Sequence, residues 1–218
     1  MRRRAHLGFL PGREHMALSG RQKVIREIIG WLMVVLIPLV MVFFLNMKVF
    51  AISVVDQYSM NNTLYKGDLV FYNRINYNIN TIERGDIILF LDGKIKDGFI
   101  SELSIKIQDL LDNFRPETQR VNTRLVKRVI GLPGDVIDIR DGEVYINGVK
   151  ETGDYVHGVI PPFSGEYPLT VPPGKLFVMG DNREISKDSR SYGCIDARSV
   201  EGKAVLILWP LSRIGKPD

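Results

Sequence analysis

Cysteine is almost absent from this chain, since Cys194 is the only one among 218 residues. A single cysteine cannot form an intramolecular disulfide, and it cannot build a cysteine-based zinc site. Any part of the chain that is exported from the cell must therefore be stabilised by its core alone. The apolar content of 45% is sufficient for one such core, and one folded domain is the expectation.

A general excess of basic residues is also missing. The formal net charge is +4, but residues 1–27 alone carry +5, and the remaining 191 residues carry −1. A domain that binds nucleic acid spreads lysine and arginine over its folded face. The distribution therefore argues against DNA or RNA as a partner.

One long hydrophobic run is present, from residue 28 to residue 47, and it contains no charged residue. As a helix with a rise of about 1.5 Å per residue, it spans roughly 30 Å of hydrocarbon. The run predicts one uncleaved transmembrane helix. The alternative is a cleaved signal peptide, because residues 49–51 have cleavage-like spacing, but the apolar core of a signal peptide is only about 7–15 residues long.

The positive charge before this run predicts the orientation of the chain. Cytoplasmic flanks of membrane helices are enriched in lysine and arginine. We therefore expect residues 1–27 to form a basic cytoplasmic arm, residues 28–47 to cross the membrane once, and residues 48–218 to form one extracytoplasmic domain.

Short apolar runs bounded by glycine, proline and aspartate predict a mainly β domain after residue 48. Asp141-Gly142 joins two alternating segments and predicts a hairpin with a type I′ turn. Residues 161–173 contain two proline pairs and are expected to form a long loop. The predicted strands cover residues 68–75, 86–91, 124–130, 135–140, 143–147, 175–179 and 203–209.

One segment between the strands has helical periodicity. Its apolar residues recur at helical spacing and predict an amphipathic helix near residues 99–114; they are Ile100, Leu103, Ile107, Leu110, Leu111 and Phe114. Such a helix either docks on the β core or lies on a membrane surface. Its polar face is not cationic, which favours docking.

Three segments combine serine, lysine and turn residues: SMNNTL (59–64), KRVIGLPGD (127–135) and GDNREISKDSR (180–190). Taken alone, each has a structural interpretation, as a turn serine, a solvated strand lysine and a polar loop. In this order, however, they resemble the motifs of the type I signal peptidases, which also carry a membrane anchor. The resemblance covers the chain from about Ser59 to Trp209.

The resemblance implies a mainly antiparallel β-sheet fold and a serine endopeptidase that removes signal peptides from exported preproteins. By this resemblance Ser59 is the nucleophile and Lys127 the general base, Ser186 orients the lysine amine, and Asp188 pairs with Arg190 to hold the loop. It also implies cleavage after small residues at positions −3 and −1, an apolar surface close to the bilayer, and no cofactor or metal.

The chemistry of the residues agrees with this assignment. A serine hydroxyl attacks only when a nearby base takes its proton, and a lysine can be that base when it is neutral. The pKa of lysine is near 10.4 in water, so burial must lower it, and the apolar neighbours of Lys127 on its strand favour burial. The histidines are poorer candidates, because His6 and His15 lie in the basic arm and His157 lies outside the motifs.

Two positions depart from the family pattern. The backbone N–H of Ser59 is the first expected oxyanion donor, and Gln57 stands where some relatives have a second donor, a serine. Asn62 replaces a proline, which would restrict the turn more tightly. Asp181 and Arg183 are expected to stabilise their turn.

Other functions remain open at this point. One is a related peptidase dedicated to a narrow set of exported precursors. Another, motivated by Gln57 and Asn62, is an inactive, membrane-tethered binding protein on the same scaffold, although such a protein has no chemical need for Ser59, Lys127 and Ser186.

Overall fold

The structure is a computed structural model that describes residues 20–75, 77, 79–112, 114–116, 122–162 and 165–217. Most of the predicted basic arm, including His6 and His15, lies outside the described residues. The contacts divide the chain into two units, Met1–Phe43 and Phe44–Asp218.

The described residues contain three α-helices and eleven strands. The helices are α1 (Gly20–Lys48), α2 (Gly98–Asp112) and α3 (Ser189–Tyr192). The strands are β1 (Phe50–Val54), β2 (Leu69–Asn73), β3 (Ile87–Leu91), β4 (Arg124–Gly131), β5 (Val136–Arg140), β6 (Glu143–Ile146), β7 (Val149–Lys150), β8 (Leu169–Thr170), β9 (Lys175–Met179), β10 (Ile195–Asp196) and β11 (Val200–Trp209).

The apolar run at the N-terminus forms the single helix α1, which is long and apolar enough to cross a membrane. It begins at Gly20 rather than at residue 28, because the charged turn containing Arg21, Lys23 and Arg26 continues the same helix. Its apolar side chains are exposed on all sides; Trp31, for example, is 75% exposed. A helix that is apolar all round fits a single-pass membrane protein.

Seven strands form the larger sheet, in the order β1-β2-β11-β3-β4-β9-β10, with every neighbouring pair antiparallel. The central strand β3 reads IILFL and is buried along its whole length. Ile87 and Leu89 pack into one apolar cluster, whereas Ile88 and Phe90 pack into another. A continuous apolar run is what a strand covered on both faces requires.

Four strands form a second antiparallel sheet, in the order β7-β6-β5-β8. The predicted hairpin joins β5 to β6, with φ of 54° at Asp141 and 75° at Gly142. Positive φ at both central residues identifies the type I′ turn and confirms that prediction. The seven predicted strands are all present, whereas β1, β7, β8 and β10 are additional, and β8 lies within the predicted long loop.

The predicted amphipathic helix is present as α2, but its expected packing is wrong. We expected its apolar face to dock on the β core. Instead, Ile105 and Asp112 are its buried residues, and Phe99, Ile100, Ile107, Leu110 and Leu111 are exposed. The helix docks through its polar side, since Asp109 accepts hydrogen bonds from Asn122 and Arg124.

Candidate active site

The segment around Ser59 forms a turn between β1 and β2. Backbone hydrogen bonds close it, among them those from Asn61 N to Tyr58 O (3.1 Å) and from Leu64 N to Met60 O (2.8 Å). Met60 and Leu64 are buried in an apolar cluster and anchor the turn to the sheet. Ser59 itself is buried, with 7% of its surface exposed.

Lys127 reaches Ser59 from the middle of β4. Its Nζ lies 2.6 Å from Ser59 Oγ and donates a hydrogen bond to it. The two residues are 68 positions apart in the sequence, and the sheet brings them together. When the amine is neutral, the direction of this hydrogen bond can reverse, so that the Ser59 hydroxyl donates to Nζ.

The surroundings of Lys127 favour its neutral form. Only 1% of the residue is exposed. The pKa of Lys127 is lowered to about 8, chiefly by burial; Asp188 and Asp181 act to raise this pKa, and Arg190 acts to lower it. Lys127 therefore combines access to a serine hydroxyl with an amine that deprotonates readily.

The loop after β9 passes close to the nucleophile. Asn182 N donates to the Ser59 carbonyl at 3.1 Å. A Cβ atom at Gly180 would lie 2.4 Å from the same carbonyl oxygen, so only glycine fits there. This close approach fixes the position of the third motif relative to the first.

Asp188 and Arg190 form a bidentate ion pair, with Arg190 Nε 2.8 Å from Oδ1 and Nη2 2.8 Å from Oδ2. Arg190 also donates to the carbonyls of Arg183 and Ser186, and Asp188 accepts from Gly180 N. Burial would raise the pKa of Asp188, but Arg190 holds that pKa below its usual range. The ion pair therefore cross-links the loop formed by residues 180–190.

The hydrogen bond expected between Ser186 and Lys127 is not formed in this structure. Ser186 Oγ is buried without a hydrogen-bond partner among the described residues. It lies next to Gly180, where a Cβ atom would be 2.3 Å from it. Ser186 is therefore in the site, and its orienting role remains a prediction.

A buried polar network that the sequence analysis missed connects all three motifs. Arg128 pairs with both carboxylate oxygens of Asp181, at 2.8 Å each. Thr63 Oγ1 donates to Asp181 Oδ2 at 2.5 Å, and the Arg128 guanidinium lies 3.9 Å from the Tyr155 ring centroid. The only available signal was that Thr63, Arg128 and Asp181 lie within the motifs.

Two further arginines hold neighbouring loops. Arg183 forms a bidentate pair with Glu151, at 2.6 and 2.8 Å, and donates to the Gly180 carbonyl. Arg213 pairs with Asp68 and donates to the Thr63 carbonyl at 2.8 Å. Asp181 and Arg183 therefore hold their turn through contacts with distant segments.

Gln57 and Asn62 lie on either side of Ser59 in the chain. Gln57 is exposed and borders the cavities on both sides of Ser59. Asn62 has φ of 97°, which the proline ring cannot adopt, and its amide donates to the Asp154 carbonyl at 3.0 Å. In this chain a side-chain hydrogen bond holds the turn at that position.

Two cavities flank the nucleophile. The first has a volume of 260 Å3, and its apolar walls include Val55, Leu89 and Val126. The second has a volume of 600 Å3 and is lined by Lys127, with Tyr58, Ile185 and Tyr192 among its walls. Across the described part of the chain, no group of three histidine, cysteine, aspartate or glutamate residues could hold a metal ion.

Residues 28–209 match the family described as "Signal peptidase, peptidase S26". Signal peptidase IB of Staphylococcus aureus (strain COL) is 29% identical over 86% of this chain and 92% of its own length. Signal peptidase I of Bacillus licheniformis is 32% identical over the same two shares. A crystal structure of a signal peptidase I from Enterococcus faecalis V583 is 31% identical, with a TM-score of 0.37, and the match covers 56% of this chain and 96% of that one.

The family match extends from the apolar helix to the end of β11 and contains every motif residue described above. The signal peptidases of Staphylococcus aureus and Bacillus licheniformis match this chain across most of their own length. The chain therefore belongs to the signal peptidase family of S26 peptidases and is a serine endopeptidase.

Proposed function

We propose that this enzyme removes signal peptides from exported preproteins by a Ser-Lys dyad and a covalent acyl-enzyme. The observation that carries the proposal is the 2.6 Å contact between Lys127 Nζ and Ser59 Oγ, with the amine buried and its pKa lowered to about 8. A neutral amine at this distance can take the hydroxyl proton as the oxygen attacks.

The first half of the reaction forms the acyl-enzyme. Ser59 Oγ attacks the scissile carbonyl carbon, and its proton passes to Lys127 Nζ. The backbone N–H of Ser59 and the side-chain amide of Gln57 stabilise the oxyanion that develops. When the C–N bond breaks, Lys127 returns the proton to the amine of the departing mature protein.

The second half releases the signal peptide. Lys127, neutral again, takes a proton from water, and the resulting hydroxide attacks the ester carbonyl. Collapse of this second tetrahedral intermediate breaks the bond to Ser59 Oγ, which regains its proton from Lys127. Ser186 is proposed to orient the amine, and the Asp188–Arg190 pair to hold the loop that carries it.

The substrates we propose have small residues at positions −3 and −1. The cavity that contains Val55, Leu89 and Val126 beside Ser59 supports an uncharged side chain next to the scissile bond, because these apolar walls offer a charged group no partner. The preference for small residues follows from the family resemblance.

We propose that the enzyme is anchored by one membrane helix, with residues 1–27 in the cytoplasm and residues 48–218 outside. The length of α1 and the +5 charge of residues 1–27, ahead of the apolar run, support this topology. Protease added to intact spheroplasts should digest the exported domain and spare the N-terminal arm. The reverse pattern would place the site in the cytoplasm and contradict a role in export.

Substitution of the dyad tests the mechanism directly. Ser59→Ala and Lys127→Ala should each abolish cleavage of a labelled precursor, because nucleophile and base act as one unit. Lys127→Arg should also be inactive, since a guanidinium stays protonated. Circular dichroism should show the parent fold in each variant.

Matched controls are Ser104→Ala, on the exposed side of α2, and Lys150→Ala, in an exposed ion pair. Both should cleave at the parent rate. Substantial cleavage by Ser59→Ala or Lys127→Ala would refute the dyad and leave membership of the family intact.

A further inference from the structure

The apolar face of helix α2 points away from the rest of the domain. Its buried side holds Ile105 together with polar residues, among them Glu102, Asp109 and Asp112. Its opposite side exposes five large apolar residues, namely Phe99, Ile100, Ile107, Leu110 and Leu111, and Ile100 is 83% exposed. A contiguous exposed apolar face of this kind is typical of an interaction surface.

Several hydrogen bonds from the polar side of α2 to the β domain define which side of the helix faces the protein. Arg124 forms a bidentate pair with Asp109, at 2.9 and 2.7 Å. Asn122 donates to the Ile105 carbonyl at 3.2 Å, and its backbone N donates to Asp112. Rotating the apolar face inward would break these bonds and leave the buried Asn122 without its partners on α2.

The helix lies beside the last turn of α1. Lys48, which ends α1, forms an ion pair with Glu102 in the first turns of α2. Met47 is buried and lines the same small cavity as Ile105 and Glu102. Arg74 binds this turn as well, because its Nη1 donates to the carbonyls of Asn46 and Met47 at 3.3 and 3.2 Å.

We propose that α2 lies in the outer surface of the bilayer, with its exposed apolar side chains among the lipid acyl chains. The inference rests on the proposed membrane span of residues 28–47. If that run crosses the membrane, Met47 and Lys48 lie at the lipid–water boundary, and the Lys48–Glu102 pair holds α2 within a side chain's length of it. Lipid is then the apolar medium already present at this face.

Nearby residues extend the same surface. Ile75 is 54% exposed and follows Arg74, whose backbone N donates to Val49 O at 3.0 Å, one residue beyond α1. Phe114, just after α2, is 85% exposed. Exposed apolar side chains thus lie both next to the end of α1 and just beyond the C-terminal end of α2.

This docking would set the height of the active site above the membrane. The Asp109–Arg124 pair joins α2 to β4, the strand that carries Lys127. The segment 122–124 that α2 binds also lines the cavity beside Ser59. A membrane-docked α2 would therefore hold the cleft close to the point where a signal peptide leaves the bilayer.

Depth-dependent fluorescence quenching in the full-length protein tests the inference. Cys194→Ser removes the native thiol, and Ile107→Cys or Leu111→Cys then carries an environment-sensitive fluorophore. The labelled chain is reconstituted in phosphatidylcholine–phosphatidylglycerol vesicles whose acyl chains carry bromine. Val149→Cys, on β7 and 71% exposed, is the matched control.

We expect probes at positions 107 and 111 to shift their emission to the blue, to be quenched by brominated lipid and to be protected from aqueous iodide. The probe at 149 should show the opposite behaviour. Quenching of all three probes by iodide alone would overturn the inference. Protection of the probes from both quenchers, with disulfide formation between copies of the unlabelled Ile107→Cys variant under an added oxidant, would indicate a second copy instead and would also overturn it.

A kinetic measurement separates this inference from the proposed function. The triple variant Ile100→Ser, Ile107→Ser, Leu111→Ser should cleave a bilayer-embedded preprotein several-fold more slowly, and a short soluble peptide at the parent rate. Val149→Ser should change neither rate. If the triple variant cleaves the bilayer-embedded preprotein as fast as the parent protein does, the docking role is contradicted.

If the parent protein cleaves neither substrate, the proposed function fails, whereas the quenching result still decides where α2 lies. Flotation of the chain with vesicles tests the membrane anchor separately. A chain that floats while its probe at 107 stays accessible to iodide would contradict the inference and leave the anchor intact.

Discussion

The active-site cleft and α2 both bury polar side chains, but to very different degrees. In the cleft, Asp181 is 0% exposed and its partner Arg128 has 7% of its side chain exposed. Under α2, Asp109 and Arg124 retain 23% and 22% of their side-chain surface. Water therefore competes for the pair under α2, whereas it is excluded from the pair in the cleft.

This difference indicates a rigid cleft and a more easily detached helix. Breaking a buried pair leaves a charge without water or a partner, which is costly. Breaking a partly hydrated pair costs less, and Arg124 keeps Glu201 as a second partner at 2.5 Å. Local stability thus varies along the chain, from the network that joins the three motifs to the surface helix α2.

The largest effect is expected from Asp181→Ala, which leaves the buried Arg128 without a carboxylate. The free energy of unfolding should fall by about 3–5 kcal/mol. Denaturant titration of the detergent-solubilised chain measures it. Lys150→Ala, which removes an exposed ion pair, is the control and should have no measurable effect; if Asp181→Ala behaves like this control, the buried network does not stabilise the cleft.

The next effect concerns an exposed side chain of the cleft. If Gln57 donates to the oxyanion, Gln57→Ala should lower kcat by about 10²–10³-fold and leave KM nearly unchanged. Gln57→Ser should restore part of the loss. Gln57→Glu should be as poor as alanine or worse, because a carboxylate accepts hydrogen bonds and repels the developing charge.

Steady-state kinetics on a labelled precursor peptide measures both constants. Cleavage by Gln57→Ala at the parent rate would show that this side chain points elsewhere in the reacting complex. The backbone N–H of Ser59 would then act with another donor.

The pH dependence of kcat/KM should report burial of Lys127. Its pKa is lowered to about 8, so kcat/KM should rise with pH, level off above 8, and be about tenfold lower at pH 7 than on the plateau. The folded pKa lies below the unfolded one, so protonated Lys127 destabilises the folded state.

The free energy of unfolding should therefore increase as the pH rises from about 8 to the unfolded pKa near 10.4. Lys127→Met, which cannot titrate, serves as the control and should lack this increase. If kcat/KM instead rises with a midpoint near the ordinary lysine pKa, burial does not lower the pKa of Lys127.

The smallest effect is expected from Asp109→Ala, which removes the ion pair that docks α2. The global free energy of unfolding should fall by about 1 kcal/mol, because the pair is partly hydrated. Amide hydrogen exchange should accelerate in α2 and stay unchanged in β3 and β4. Ser104→Ala is the matched control on the same helix, and equal acceleration in the sheet would show that α2 and the cleft unfold as one unit.

The sequence was sufficient to predict most of the sheet and the position of the motifs. Alternating or continuous apolar runs are local signals, and the Asp141-Gly142 turn is fixed by two residues. The additional strands β7, β8 and β10 are two residues long, too short for any periodicity to show. They exist because longer neighbouring strands offer hydrogen bonds to them.

The sequence was less informative about the contacts within the site. It predicted Ser59 and Lys127 as partners, and the sheet places their side chains within hydrogen-bond distance. It did not predict that Arg128 would bind Asp181 and Thr63, because an arginine next to a lysine on a strand looks like a solvated residue. Nor did it predict that Ser186 Oγ would lie without a bond to the amine.

By itself, the sequence determined the apolar helix, the β-rich domain, the three motifs and the existence of an amphipathic helix after β3, because each depends on the order of neighbouring residues. The tertiary structure alone decided which side of α2 faces the protein. Periodicity defines two faces of a helix, but the side that is buried depends on partners distant in the chain. Here Asn122 and Arg124 bind the carboxylates of α2, and Glu201 holds Arg124 in place, so the apolar face is left outside.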